Sequence, residues 1–504
     1  MARPTSNYRC AQCGTASPRW SGKCADCGAW NTLEERPLPA RGSLRRSGAS
    51  EVAPVPLASV DPLGGRPVAT GVGEVDRVLA GGLLAGSVTL VYGEPGVGKS
   101  TLLLQVLMAR ARGGATVLLV SAEESATQVR ARAERLGPLP AGLLVSATSD
   151  ITDALRAIED LDPALVVVDS IQTVVDPDVG GGSGALAQVR ACADRLTRVA
   201  KQRGTPVLLV GQVTKDGDLA GPRALEHLVD TVCSFEGDRH HALRLLRAVK
   251  HRFGPTGEVG LFEMGEEGLR AVVDPGPLLL GDRRPDVPGS AITALLEGRR
   301  PLLVELQALG CAGTPGAPRR NTQGVDPRRL ATVLAVLECR AAVPLGSLEL
   351  FVSAAGGIRA TEPAADLPLA LAVASSVAGV ALAPDVVSFG EVGLAGELRG
   401  VPGSDRRLAE AARLGFRCAL VPTSTPDGPP ALRLLRVASV TEALVVARRL
   451  ADAGGGAEEP HVAEAHLLEN RAPRTSMIPQ FSPFESAPGP PGTMPEWATP
   501  AANR

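Results

Sequence analysis

The sequence predicts an α/β protein whose main domain is a mostly parallel sheet between helices. Three observations predict it. Between Ser87 and Val210, short apolar runs alternate with helix-length segments, the pattern of strand–helix–strand crossovers. One run, Ser87 to Tyr92, leads straight into the glycine-rich stretch Gly93-Glu94-Pro95-Gly96-Val97-Gly98-Lys99-Ser100-Thr101. Another, Leu165-Val166-Val167-Val168, is closed by Asp169, at the strand end where open parallel sheets place their chemistry.

Ahead of this domain, Cys10-x-x-Cys13 and Cys24-x-x-Cys27 are separated by ten residues. Each pair puts two thiolates on one tight turn, and together they make a tetrahedral S₄ shell for Zn²⁺. Gly14 and Gly28 follow the second cysteine of each pair, where a turn needs positive φ. A pair of redox disulfides is the alternative, disfavoured in a reducing compartment. Residues 1–34 are therefore expected to form a zinc finger, with Trp20 and Trp30 as its minimal core rather than a stacking surface. Residues 35–67, rich in Pro, Arg, Ser and Gly and without periodicity, are expected to be a linker.

From 68 the periodicity tightens. Strands are expected at Ala115 to Ser121, Leu143 to Val145, Ala164 to Asp169 and Pro206 to Val210. Helices are expected after Lys99 and at Glu124 to Leu136, Ile151 to Leu161 and Leu186 to Arg203. Strand, G-x-x-x-x-G-K-S loop and helix together specify a triphosphate cradle. Glycines let backbone N–H groups approach the phosphates. Lys99 reaches the β- and γ-phosphates of ATP, and the Ser100 hydroxyl holds Mg²⁺. Asp169 is the acceptor for the Mg²⁺ shell. Glu123, after Val120-Ser121-Ala122, is the candidate general base, with the adjacent Glu124 as a rival that could instead serve the helix dipole. Gln212 sits where a γ-phosphate sensor would reach, or is merely a polar strand end.

Composition narrows the function classes. The 504 residues carry a net charge of −2, which argues against a wholesale cationic nucleic-acid binder but leaves local basic patches open. Aromatics at 3% do not advertise base stacking. Met1 to Tyr8 is polar, so no signal peptide is expected; with nine cysteines, four of them closely paired, the chain reads as cytoplasmic. The apolar run Leu367 to Ala383 contains Pro368, Ser375 and Ser376 and is expected to be a buried helix, not a membrane span. Lysines occur only at 23, 99, 201, 215 and 250 among 52 Lys plus Arg, which draws attention to Lys215 and Lys250.

The module from Thr70 to about Asp274 resembles the RecA-type ATPase core, and residues 1 to about 450 resemble the bacterial RadA (Sms) family. The likeness rests on the zinc finger, the P-loop core and Lys250-His251-Arg252-Phe253-Gly254, which stands where that family has KNRFG. Glu258 to Met264 is also family-like. Gly211-Gln212-Val213-Thr214-Lys215-Asp216-Gly217 is similar to the family's GHVTKEG, with Gln for His and Asp for Glu. The changes at His251 and Gln212 read as retuning rather than inactivation. The resemblance implies an ATP-driven, ring-forming (hexameric) branch-migration helicase, working on single-stranded and branched DNA in recombinational repair alongside a RecA recombinase. It implies that Lys250 and Arg252 serve ATP turnover and DNA work by reaching a neighbouring subunit's nucleotide, the alternative being a solvated basic surface turn. An ATP-gated regulatory or scaffolding protein without motor activity is the rival.

Two loops are candidate DNA contacts through phosphates: Asp176 to Gly184, expected to be a mobile loop facing the channel of a RecA-like ring or else to order only around the nucleotide, and Thr214 to Arg223 with Lys215 and Arg223. Residues 281–449 look like a Lon-protease domain. Asp366 stands at the apparent serine position and no lysine follows Lys250, so a Ser–Lys dyad cannot be assembled there. That domain is expected to serve as an α/β ring-forming, DNA-binding platform, with Arg319, Arg320, Arg328 and Arg329 as candidate phosphate contacts or, alternatively, a solvated charged face. Residues 454–504 are expected to be a disordered Pro/Gly/Ala-rich tail.

Overall fold

Alternating apolar runs and amphipathic segments bury themselves best as a sheet covered on both faces, and the computed structural model has that arrangement. It describes residues 6–10, 16–17, 20–25, 27–37, 56–59, 65–212, 222–237, 243–313 and 319–453. Cys13, Gly14, Lys215 and the tail from 454 lie outside the described residues, as do most of the linker and the side chain of Arg223. The chain divides into two units, Met1–Val68 and Ala69–Arg504.

In the first unit, β1 (Ser6–Cys10) pairs antiparallel with β2 (Ala16–Ser17) and with β3 (Leu33–Pro37). The ladder carries the finger three residues beyond its expected end at 34, because Glu35, Arg36 and Pro37 pair with Tyr8, Asn7 and Ser6. Its small core is Cys10, Cys24 and Leu33, with Tyr8 packed on it. The expectation for the tryptophans is corrected: Trp20 is 56% and Trp30 72% exposed, the latter with the Lys23 ammonium 5.8 Å from its ring. The described core is built instead from two buried cysteines, Leu33 and Tyr8.

The second unit opens with α1 (Gly73–Val78), β4 (Val88–Gly93) and α2 (Lys99–Arg112). Next come β5 (Val117–Ser121), α3 (Ala126–Arg135), β6 (Leu143–Ala147), α4 (Ile151–Leu161) and β7 (Leu165–Asp169). They are followed by α5 (Leu186–Arg203), β8 (Val207–Gln212), α6 (Pro222–Leu225) and β9 (Thr231–Glu236). The expected strands and helices are present within a few residues. Strands β6, β5, β7, β8, β4 and β9 are parallel neighbours in that order. Leu119, Val167 and Val91 face α1 and α2, whereas Leu118, Val166 and Leu90 face α4 and α5. Strands buried on both sides explain the unbroken apolar runs.

The sequence reading did not resolve the antiparallel extension of this sheet. Here β10 (Leu243–His251) pairs with β9, and β11 (Val259–Gly265) and β12 (Gly268–Ala271) complete nine strands.

After α7 (Gly276–Leu280), a second sheet forms from β13 (Ser290–Glu297), β14 (Arg300–Ala312), β15 (Arg320–Gln323), β16 (Leu348–Ala354), β17 (Val386–Ser388), β20 (Cys418–Pro422) and β21 (Arg433–Val437). Its strand order is 15-16-14-13-17-20-21. It is covered by α8 (Pro327–Ala341), α9 (Asp366–Ala378), α10 (Ser404–Arg413) and α11 (Val440–Asp452), while β18 (Glu391–Val392) and β19 (Leu398–Arg399) form a separate hairpin. The apolar run from Leu367 is α9, thirteen residues and buried nearly all round, as expected. No helix among the described residues is long and apolar enough to cross a membrane.

The β13–β14 hairpin plugs this sheet into the first. Its turn needs Gly298 at φ +63, since a Cβ there would sit 2.3 Å from the Gly257 carbonyl oxygen. Behind the turn, Arg300 (8% exposed) pairs with Glu74 of α1 (2% exposed) and donates to the carbonyls of Val259, Val272 and Val273. Glu74 also accepts from Leu261 N at 2.9 Å. Arg300→Ala is expected to cost about 3–5 kcal/mol, because it strands a buried carboxylate and several carbonyls. Chemical unfolding followed by circular dichroism measures it; a loss below about 1 kcal/mol would contradict the plug.

Candidate functional site

Register brings the site together. Gly93 at the end of β4 pairs with Gln212 at the end of β8, and Ser121 of β5 pairs with Asp169 of β7. The P-loop, Gln212, Asp169 and the Glu123 loop therefore leave the sheet along one carboxyl edge.

The loop from Gly93 to Gly98 is shaped for close backbone approach. A Cβ on Gly93 would lie 2.1 Å from the Phe235 carbonyl oxygen, and Gly98 holds φ +110. Lys99 opens α2 and is 5% exposed, with Nζ donating to the carbonyls of Gly93 (2.8 Å) and Glu94 (2.9 Å). Burial lowers its pKa, opposed by the charges of Asp169 and Glu123. A buried ammonium aimed along a glycine loop at a helix start fits a triphosphate. From β10, the buried Arg244 guanidinium donates through Nε to Val97 O at 3.2 Å and so braces the loop from below.

Asp169 is 9% exposed, and burial raises its pKa against the Ser100 hydroxyl bonded to it and the nearby Arg132. Ser100 and Asp169 are thus adjacent oxygen donors of the hard type that Mg²⁺ takes, and they fit that ion. Once bound, Mg²⁺ would neutralise phosphate charge.

Glu123 and Glu124 separate cleanly. Glu123 accepts from the Ser170 hydroxyl at 2.5 Å and from Gln212 Nε2 at 3.2 Å, so it faces the P-loop edge. Glu124 pairs instead with Arg132 (3.0 Å), whose guanidinium is also 3.7 Å from Asp169. The dipole role considered for Glu124 is corrected. Helix α3 starts only at Ala126, capped by Ser125 in a capping box with Gln128, so Glu124 lies outside the first turn. Gln212 is both the end of β8 and a partner of Glu123, which suits a residue linking phosphate state to the base.

Sequence reasoning missed Ser170, Arg132 and Arg244. Ser170 was within reach, as the polar residue directly after the strand-end acid. Arg132 and Arg244 were not, because Asp169 and the Val97 carbonyl come within their reach only through the fold.

The Asp176 to Gly184 segment, expected to be a mobile loop, is in its first half tied down. Gln188 (1% exposed) accepts from Asp176 N at 2.8 Å and donates to the carbonyls of Asp176 (3.1 Å), Val179 (2.5 Å) and Gly181 (3.3 Å). Asp176 also pairs with Arg195 at 3.0 Å. One buried amide at the start of α5 replaces the disorder that four nearby glycines suggest.

Lys250 and Arg252 stand apart from the P-loop edge. The Lys250 ammonium donates to the carbonyls of Glu226 and Val229 (2.9 Å to the latter), and Arg252 pairs with Asp230 at 3.1 Å. His251, in place of the family's Asn, bonds Thr231 Oγ1 through Nδ1 at 3.2 Å and accepts from Phe253 N at 3.4 Å. Burial lowers its pKa, which keeps it a neutral hydrogen-bonding group shaping the turn.

In the second sheet, Arg329 lies against Asp366 (3.5 Å), and Arg320 donates to the carbonyls of Leu348 and Leu345. Arg319 and Arg328 are exposed. Asp366 is buried, accepts from Val392 N at 3.3 Å, and has its pKa pushed up to about 6 by burial, against the pull of Arg329.

In the finger, the thiols of Cys10, Cys24 and Cys27 all lie within 4.8 Å of one another, and Cys10 and Cys27 sulfurs are 3.6 Å apart. Thiolates about 2.3 Å from a tetrahedral zinc stand at such a separation, so the three fit Zn²⁺. Gly28 has the expected positive φ, +74.

Comparison with known proteins agrees with this geometry. Residues 73–218 match the family model described as an AAA domain, and residues 8–35 the one described as a rubredoxin metal binding domain. The chain is 47% identical over 458 residues to the DNA repair protein RadA of Mycolicibacterium smegmatis, covering 89% of this chain and 98% of that protein. It is 44% identical over 452 residues to the DNA repair protein RadA of Bacillus subtilis, covering 88% and 99%. To the Pseudomonas aeruginosa DNA repair protein RadA it is 44% identical over 449 residues, again 88% and 99%.

Proposed function

The chain belongs to the RadA family, and from that premise we propose that this DNA-repair ATPase is a DNA-dependent branch-migration helicase that cleaves ATP at a boundary between subunits of a ring, hexameric as the resemblance implies. One observation carries the proposal. Arg252 N bonds Asp230 O and Asp230 N bonds Val88 O, so the Lys250–Gly254 motif sits at the amino edge of the parallel strands. The P-loop starts five residues along β4, about 17 Å away at strand rise. A motif so placed is remote from its own subunit's ATP and is available to a neighbour's.

Within the site, each side chain has a role. The backbone amides from Gly93 to Thr101 and Lys99 bind and orient the triphosphate. Glu123, held by Ser170 and Gln212, takes the proton of the attacking water. Gln212 senses the γ-phosphate through the same contact. Ser100 and Asp169 would hold Mg²⁺. Arg252 of the adjacent subunit meets charge developing on the transferred phosphoryl group, with Lys250 setting the motif against the turn before β9. Arg319, Arg328 and Lys215 are the candidate phosphate contacts to single-stranded and branched DNA, Arg223 with them. Arg320 and Arg329 already have partners within the fold. A RecA recombinase is the proposed partner and the cytoplasm the proposed location.

Unwinding of a forked duplex tests this. ATP is expected to drive strand separation and a non-hydrolysable analogue to support DNA binding only. Equal behaviour with both would favour the ATP-gated regulatory reading.

A further inference from the structure

Asp230 is a buried acid outside the nucleotide site that several parts of the chain share. It is 1% exposed, and three donors from β4, α5 and the turn after β10 converge on its carboxylate. Val88 N, at the first residue of β4, donates to Oδ2 at 3.1 Å. Lys201 Nζ, from the last turn of α5, lies 3.3 Å from Oδ1, and Arg252 Nη1 3.1 Å from the same oxygen. The backbone of Asp230 is bonded on both sides as well, its N–H to Val88 O at 2.9 Å and its carbonyl to Arg252 N at 3.1 Å. Arg252, by contrast, is 55% exposed. A long, solvated arginine normally samples many rotamers, and ordering it costs free energy at the moment it is needed. Here a buried carboxylate fixed to the strand that ends in the P-loop holds the guanidinium near the surface before any neighbour arrives.

We propose that Asp230 is the positioning residue for Arg252, presetting its guanidinium for the nucleotide of the adjacent subunit. This rests on the reading of Arg252 as a group acting across the subunit boundary, and it adds the residue that aims it. Lys201 contacts the same Oδ1 as Arg252, so the buried carboxylate keeps a cationic partner when Arg252 is shared with the incoming phosphate.

Asp230→Asn tests the assignment, since the amide oxygen can still accept from Val88 N. The DNA-stimulated kcat for ATP hydrolysis is expected to fall about 10- to 100-fold, the range for losing a partner that orients a functional side chain, with KM for ATP unchanged. Combined with Arg252→Ala, it should add no further loss. Mixed with Lys99→Ala subunits, Asp230→Asn subunits should regain activity, because intact P-loops then meet intact motifs. Full activity of Asp230→Asn overturns the proposal, as does a defect that mixing fails to relieve, which would place its effect on its own P-loop through β4. Additive losses with Arg252→Ala overturn it too. Should Asp230→Asn fail to fold, Asp230→Ser, smaller than the native side chain, is read in the same way. Failure of the underlying reading looks different: Arg252→Ala rings would then hydrolyse ATP at the wild-type rate whatever Asp230→Asn does.

Discussion

Arg252→Ala is expected to lower ATP hydrolysis about 10³-fold while ATP binding stays at the wild-type level. The effect is large because a guanidinium that meets charge present only in the transition state contributes to turnover and not to ground-state binding. It spares binding because Arg252 stands at the opposite edge of the sheet from its own P-loop, paired with Asp230. Lys250→Ala should be milder in chemistry and harsher on the fold, since the ammonium is committed to the Glu226 and Val229 carbonyls. Steady-state hydrolysis with single-stranded DNA and equilibrium binding of a fluorescent nucleotide measure the two quantities separately. A parallel loss of both in Arg252→Ala would mean that the arginine supports its own subunit's site.

Lys99→Ala should abolish both. Removing a preorganised donor from a transition state costs about 10²–10³ in kcat. Here the loss goes further, because Lys99 is the buried cation between Asp169 and Glu123, and without it two carboxylates confront a polyanionic substrate. Lys99→Arg should not rescue, since a planar guanidinium does not fit a position 5% exposed beneath a glycine loop. The same two assays apply. Nucleotide binding at wild-type strength in Lys99→Ala would remove the P-loop from the account.

Much of this site was legible in the sequence because its parts are local. The P-loop is one continuous stretch between β4 and α2, and Asp169 closes an apolar run, so strand and chemistry coincide in a few residues. Glu123 was separable from Glu124 by its place at a strand end, and the two carboxylates do face different partners. What was not legible is set by distant contacts. The antiparallel strands β10 to β12 carry Arg244 and Arg252 to opposite edges of the sheet, and no periodicity announces which residue goes where. Trp20 and Trp30 misled because indoles are ordinarily buried, whereas in this finger the thiols occupy the interior. The glycine-rich loop after Asp176 misled for the reverse reason: composition suggests mobility, yet Gln188, several residues downstream, holds its first half through four hydrogen bonds.

The claim that ATP is cleaved with groups from two subunits is tested most directly by mixing. Arg252→Ala subunits keep an intact P-loop, and Lys99→Ala subunits keep an intact motif; each alone should form inactive rings. Assembled together in equal amounts, they should hydrolyse ATP and unwind forked DNA at a readily measured fraction of the wild-type rate. A mixture as inactive as its two components would contradict the account.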